Sequence, residues 1–148
     1  TCRPKAPIVH NETTQFEIGK AVKLRNGQDV TLIANGLLVY EALAAAEELK
    51  KEGIEASVVD MHTVKPLDEK MLLAEAKKTG RIVVCEEHQI WGGLGSAVAR
   101  FVSMHAPCKM EFVAIQDTFA ESGQPEELLE KYNLTSPSIV KAAKKVLQ

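Results

Sequence analysis

The 148 residues carry 18 basic and 20 acidic side chains, for a net charge of −2, and 45% of them are hydrophobic. That is ordinary globular usage for a single domain able to bury about 70% of its unfolded surface. Charges of both signs are interspersed and no apolar run approaches a membrane span, which argues against nucleic acid or a membrane as partner. Cys2, Cys85 and Cys108 are an odd set in no metal-binding spacing, which points to reduced thiols in a cytoplasmic protein. The start TCRPKAP has no signal-peptide character, and its first residue is not methionine, which suggests a piece cut from something longer.

Residues 1–15, with two prolines and mostly polar side chains, read as an extended linker or docking arm, and residues 16–148 as the domain proper. Ile18, Ala21 or Val22, and Leu24 roughly alternate before Asn26-Gly27, a strong hairpin-turn signal. The run Val30-Thr31-Leu32-Ile33-Ala34 is then expected to return antiparallel to that first strand. A helix begins near Asn35-Gly36 with Val39, Ala42, Leu43, Ala46 and Leu49 on one stripe, and Gly53 closes it. A second core strand covers residues 56–59, and Asp60-Met61-His62 leaves it. Pro66 and Asp68 then open a helix with Leu72, Leu73 and Ala76 inward and Gly80 at its end.

The central unit follows, RIVVCEEHQIWGGLGSAV. Ile82-Val83-Val84-Cys85 is short, apolar and rich in β-branched residues, the pattern of a buried parallel strand. Leu94, Ala97, Val98, Phe101 and Val102 keep helical spacing up to Pro107. A further strand spans residues 110–115; Pro125 opens a short helix and Ser136-Pro137 a final one. The pattern is that of an α/β domain of three layers, with a mostly parallel, mixed sheet of about five strands, one of them antiparallel.

Polar residues between a parallel strand and a helix stand where open α/β sheets place their sites. Gly92, Gly93 and Gly95 invite comparison with phosphate cradles, but GGxG is neither GxGxxG nor GxxxxGK[ST]; a tight turn is the simpler reading. Glu86 and His88 share a strand face by alternation and offer an acid–base pair, yet no nucleophile is placed to complete a triad. Solvated rim or interface residues are the plainer alternative. His62 and His88 both follow strands, two potential ligands without a third. Trp91, the only tryptophan, suits an interface anchor, and Cys85 an inert core position. Arg3, beside Pro4, offers a bidentate fork to a phosphate, or is a plain exposed arginine in a tail.

The succession TCRP, FEIGKAV, VVDMHTVKPLD, CEEHQIWGGLGSAV and SGQPEELLEKYNL, in this order and spacing, resembles the carboxyl-terminal part of transketolase across essentially the whole chain. That resemblance implies the third α/β domain of a thiamine-diphosphate enzyme of the pentose phosphate pathway. The whole enzyme transfers a two-carbon ketol unit between sugar phosphates, as a homodimer with a divalent metal (Mg). The diphosphate-binding and pyrimidine-binding domains hold the cofactor, in some bacteria on a separate subunit. Residues 1–15 are then the exit from the pyrimidine-binding domain, and the chain lacks the GDG…N motif and the activating glutamate. The resemblance also implies that the chain is inactive alone and carries no cofactor of its own. Its partners would be the remaining transketolase domains or subunit.

The resemblance implies one functional residue: Arg3 matches an arginine that contacts the sugar phosphate. Deoxyxylulose-phosphate synthase and the β chain of 2-oxo acid dehydrogenases share similar third domains, although TCRP and SGQPEELLEKY favour transketolase. The rival of another class is a regulatory module that binds a nucleotide or partner at a crevice around Glu86, His88, Trp91, Gly92 and Gly93.

Overall fold

The computed structural model describes residues 7–148. Two short strands, β1 (Val22–Arg25) and β2 (Val30–Ala34), lead into helix α1 (Leu38–Lys51). Three strand–helix units follow: β3 (Ala56–Asp60) and α2 (Glu69–Thr79), β4 (Arg81–Gln89) and α3 (Leu94–His105), then β5 (Lys109–Ile115) with α4 (Pro125–Lys131) and α5 (Ser136–Leu147). The sheet order is β1-β3-β2-β4-β5, and every pairing is parallel except that of β1 with β3.

Alternation along the strands divides the core in two. Leu32, Val58, Val83 and Val113 face α1 and α5, where Ala42, Ala46, Leu49, Ile139, Ala143 and Val146 complete one cluster. Ile33, Val59, Ile82 and Val84 face α2 and α3, against Leu72, Ala76, Leu94, Val98 and Val102. Both faces are covered, so β2 and β3 are buried along their whole length. Their mostly apolar composition follows from that placement, with Thr31, Ser57 and Asp60 as buried polar exceptions.

The Asn26-Gly27 turn does not make the expected hairpin. β1 is antiparallel, but β3 lies between it and β2, with Val22 opposite Asp60 and Lys23 opposite Val59. Neither Asn26 nor Gly27 has the positive φ that a two-residue hairpin turn requires. The connection instead crosses the start of β3: Gln28 and Asp29 amides donate to the Glu55 carbonyl at 2.9 and 3.0 Å, and the Glu55 amide donates to Asp29 Oδ2 at 2.7 Å. A Cβ on Gly27 would stand 2.1 Å from the Ala56 carbonyl carbon, so only glycine allows the crossing. The crossover through α1 delivers β3 into the gap beside β2.

The helix termini follow the expected chemistry more closely. Asp68 caps α2, its Oδ1 accepting the Met71 amide at 3.0 Å. Its other oxygen accepts the Ala21 amide at 2.8 Å and ties the approach to β1 onto the same helix. Glu41 of α1 accepts the Ser136 amide at 2.6 Å, which sets the start of α5 against α1.

Candidate functional site

The carboxyl ends of β2 and β4 part company: α1 leaves β2 for one face of the sheet and α3 leaves β4 for the other. A crevice opens at such a divergence. Here it is a cavity of about 250 Å³, lined by Leu37, Ile115, Leu128, Tyr132 and Leu134, with Glu87 as its charged residue.

Glu86 and Glu87 point to opposite sides of β4, as alternation requires. Glu87 reaches toward Gly36 in the crevice. Glu86 turns the other way and is buried at 3% exposure. Its Oε2 accepts the Leu94 amide and its Oε1 the Gly95 amide, both at 2.7 Å. The side chain thus caps α3, whose N-cap residue, Gly93, has no side chain to do so. Free amides at a helix start attract anions, and here the protein supplies the anion itself. The glycine turn is therefore a closed structural joint, and Glu86 is no solvated rim residue. Sequence spacing could not reveal this, because the capping carboxylate stands seven residues before the cap position.

His88 is exposed, and its Nδ1 lies 3.2 Å from the Gln89 carbonyl. The β4–β5 register shifts between Cys85 and Gln89, so the regular pairing is interrupted at His88 before Gln89 rejoins Ile115. With both oxygens of Glu86 engaged by amides, the two residues do not form an acid–base pair. His62 follows β3, which β2 separates from β4, so the two histidines belong to different parts of the edge. Among the described residues no group of three potential metal ligands exists.

Trp91 is 69% exposed beside the turn. The Gly92 amide donates to Ser96 Oγ at 2.9 Å. Gly92 and Gly93 close one end of an open groove of about 650 Å³ between the segment before α2 and the outer side of α3, where Lys65, Arg100 and Met104 stand. Cys85 is fully buried, and burial together with the neighbouring Glu86 charge pushes its thiol pKa far up. Arg3 lies outside the described residues.

Two polar clusters escaped the sequence reading. Glu75 on α2 is buried at 1% exposure, accepts the Ser57 hydroxyl at 2.5 Å and pairs with Lys23 of β1. Asp60, at the end of β3, accepts from His10 Nε2 at 2.8 Å, while Phe16 lies edge-on between His10 and His62. The arm expected before the domain is thus seated on it from Val9, which packs against the α1/α5 cluster. Neither cluster follows a period or motif; each joins residues distant in the chain.

The architecture is that of a three-layer α/β domain with a sealed glycine joint. A family profile described as "Transketolase, C-terminal domain" matches residues 19–139. The chain belongs to the transketolase C-terminal domain family. It is 44% identical over 146 residues to the 6-deoxy-6-sulfo-D-fructose transketolase subunit SqwH of Clostridium sp. (strain MSTE9), covering 99% of this chain and 45% of that protein. It is also 39% identical over 136 residues to a 1-deoxy-D-xylulose-5-phosphate synthase of Heliobacterium modesticaldum, covering 91% of this chain and 21% of that protein. Among solved structures, a split gene transketolase described as an inactive beta4 tetramer superposes with a TM-score of 0.92 at 44% identity. That match covers 96% of this chain and 46% of the other. The chain therefore spans less than half the length of these relatives. No described helix is long and apolar enough to cross a membrane.

Proposed function

We propose that this chain is the third domain of a cytoplasmic transketolase that moves a two-carbon ketol unit between sugar phosphates. Residues 1–15 form the exit from a pyrimidine-binding domain, and the enzyme works as a homodimer with its remaining domains or subunit. Glu86 carries the reading. The glycine-flanked helix start, the position in this chain most like a phosphate cradle, already holds an internal carboxylate, so the diphosphate of thiamine diphosphate does not fit it. Cofactor and metal belong to the domains that precede this one, and the chain alone is inactive. What it brings to the reaction is architecture and Arg3, whose guanidinium fork suits the phosphate of the sugar substrate.

The test is Arg3→Ala in the complete enzyme. A KM for the ketose phosphate raised about tenfold or more, with a non-phosphorylated ketol donor unaffected, supports the assignment. An unchanged KM removes it. Ketol transfer or thiamine-diphosphate binding by the chain alone would remove the architectural reading.

The synthase relative at 39% identity supports a second reading, in which the same domain serves a deoxyxylulose-phosphate synthase. Turnover of a ketose phosphate donor by the complete enzyme favours the first reading, and failure to use one favours the second.

A further inference from the structure

The exposed apolar side chains of this domain are gathered rather than scattered. Among the described residues, the large hydrophobic side chains more than half exposed are Ile8, Phe16, Ile18, Trp91, Met104 and Phe119. All except Met104 stand at the carboxyl edge of the parallel strands. Ile8, Phe16 and Ile18 precede β1, which runs antiparallel and starts with Val22 opposite Asp60 at the end of β3. Phe16 meets the His62 ring at 5.1 Å, and a Cβ on Gly19 would stand 3.0 Å from Pro66, so this approach runs along the segment that leaves β3. Trp91 follows β4, and Phe119 follows β5. The opposite edge is charged instead: α1 ends there on Lys50 and Lys51, and α2 on Lys77 and Lys78. Single exposed apolar residues are ordinary on a protein surface, but their collection along one edge marks an interaction face.

Phe119 is the most exposed of them, at 99%. Its loop is nevertheless tied on both sides. Gln89 Nε2 donates to the Thr118 carbonyl at 2.5 Å, and the Glu121 amide donates to the Tyr132 hydroxyl at 3.2 Å. An aromatic ring presented to solvent on a held loop loses little conformational freedom when it docks, which is the property of an interface anchor.

We propose that the carboxyl edge of the sheet is the docking face for the domain that precedes this one in the complete enzyme, with Phe119 and Trp91 as its anchors. The inference rests on the reading of the chain as the third domain of a longer enzyme. Two observations select this occupant. The face is wide: in a sheet of five strands, spacings of about 4.8 Å separate β1 from β5 by about 19 Å, and exposed apolar residues stand at both ends. A small ligand in the crevice of about 250 Å³ would leave Phe16 and Ile18 bare, whereas a protein surface covers them with Trp91 and Phe119. The chain also enters the domain across this face, where Val9 packs on the α1/α5 cluster and His10 meets Asp60. A domain joined through that entry stands against the face, and a second copy docked there would have to share it with the incoming chain.

The experiment puts the photoreactive side chain p-benzoylphenylalanine in place of Phe119, of Trp91 and, as a control on the charged edge, of Lys77 in the complete enzyme. Mass spectrometry then identifies the cross-linked peptides. Cross-links from the Phe119 and Trp91 positions to peptides of the preceding domain, absent from the Lys77 position, are expected. Capture of the same edge of a second copy would overturn the proposal, and so would the lack of any cross-link from both positions, which would show the face open to solvent. Phe119→Glu combined with Trp91→Glu changes two exposed side chains and leaves the core intact. The pair is expected to quicken protease cleavage of the segment between the two domains about tenfold or more, and an unchanged rate would overturn the anchoring role. Ketol transfer by the parent enzyme is measured alongside: its absence, with cross-links to the preceding domain still formed, would overturn the functional reading and leave the docking face standing.

Discussion

The carboxylate of Glu86 fills the volume beside Gly93 in which any other residue would place its Cβ, 2.0 Å from Glu86 Oε2. Strand β4 and helix α3 are joined through this contact, and each residue requires the other. Glu86→Ala should cost about 2–4 kcal/mol, because it leaves two buried amides unpaired. Gly93→Ala should cost a similar amount by displacing the cap. Phosphate should raise the melting temperature of Glu86→Ala more than that of the parent, since the vacated helix start then accepts an external anion. Thermal unfolding with and without phosphate checks all three expectations.

Acid should act through Glu75. Burial alone would raise its pKa, but the hydrogen bonds from Lys23 and Ser57, with the charges of Lys23 and Lys78, outweigh burial and lower it below 4.5. A lowered folded pKa contributes stability above about pH 4.5 that is lost as pH falls through the folded value. Glu75→Gln should therefore flatten the stability profile below that pH. Lys23→Met should cost about 3–5 kcal/mol at neutral pH by stranding a buried carboxylate. Urea titrations across pH 3–7 measure both effects (the window follows from the ordinary carboxyl range).

At the crossing of β3, Gly27→Ala should lower stability by roughly 2–4 kcal/mol, because the added Cβ meets backbone atoms that cannot yield. In a true two-residue hairpin the same change would act only through a turn that needs positive φ, and it would leave β3 untouched. Hydrogen exchange of the Gln28 and Asp29 amides, both bonded to the Glu55 carbonyl, separates the two cases: they should lose protection in the variant.

The cysteines should differ in reactivity. Burial raises the pKa of both the Cys85 and Cys108 thiols, but Cys85 is fully enclosed and Cys108 only half-buried. Under native conditions an alkylating reagent should modify Cys108 slowly and leave Cys85 intact until global unfolding. Peptide mass spectrometry after timed alkylation checks the order.

Periodicity sufficed for most of the fold. Strands buried on both faces are predominantly apolar, helices with one covered face are striped, and Asp68 and Pro125 mark helix starts by chemistry that operates within one turn. The three layers and the mixed sheet follow from those local patterns. The pairing of β1 does not, because a turn signal specifies a reversal of direction and says nothing about a third strand arriving between its arms.

The site divides along the same line. The sequence by itself determined that Glu86, His88 and the glycines stand at a strand end before a helix, since chain order and alternation place them there. Only the tertiary structure decided that Glu86 is consumed as the cap of α3, that Glu75 binds Lys23 and Ser57, and that His10 reaches Asp60. Each of those contacts joins partners beyond the reach of a helical turn or strand repeat, eight residues apart for Glu86 and Leu94 and 50 for His10 and Asp60, at a distance near 3 Å or less. Hydrogen bonds and ion pairs act over ångströms, and nothing in local spacing records which distant group folding will bring within that range.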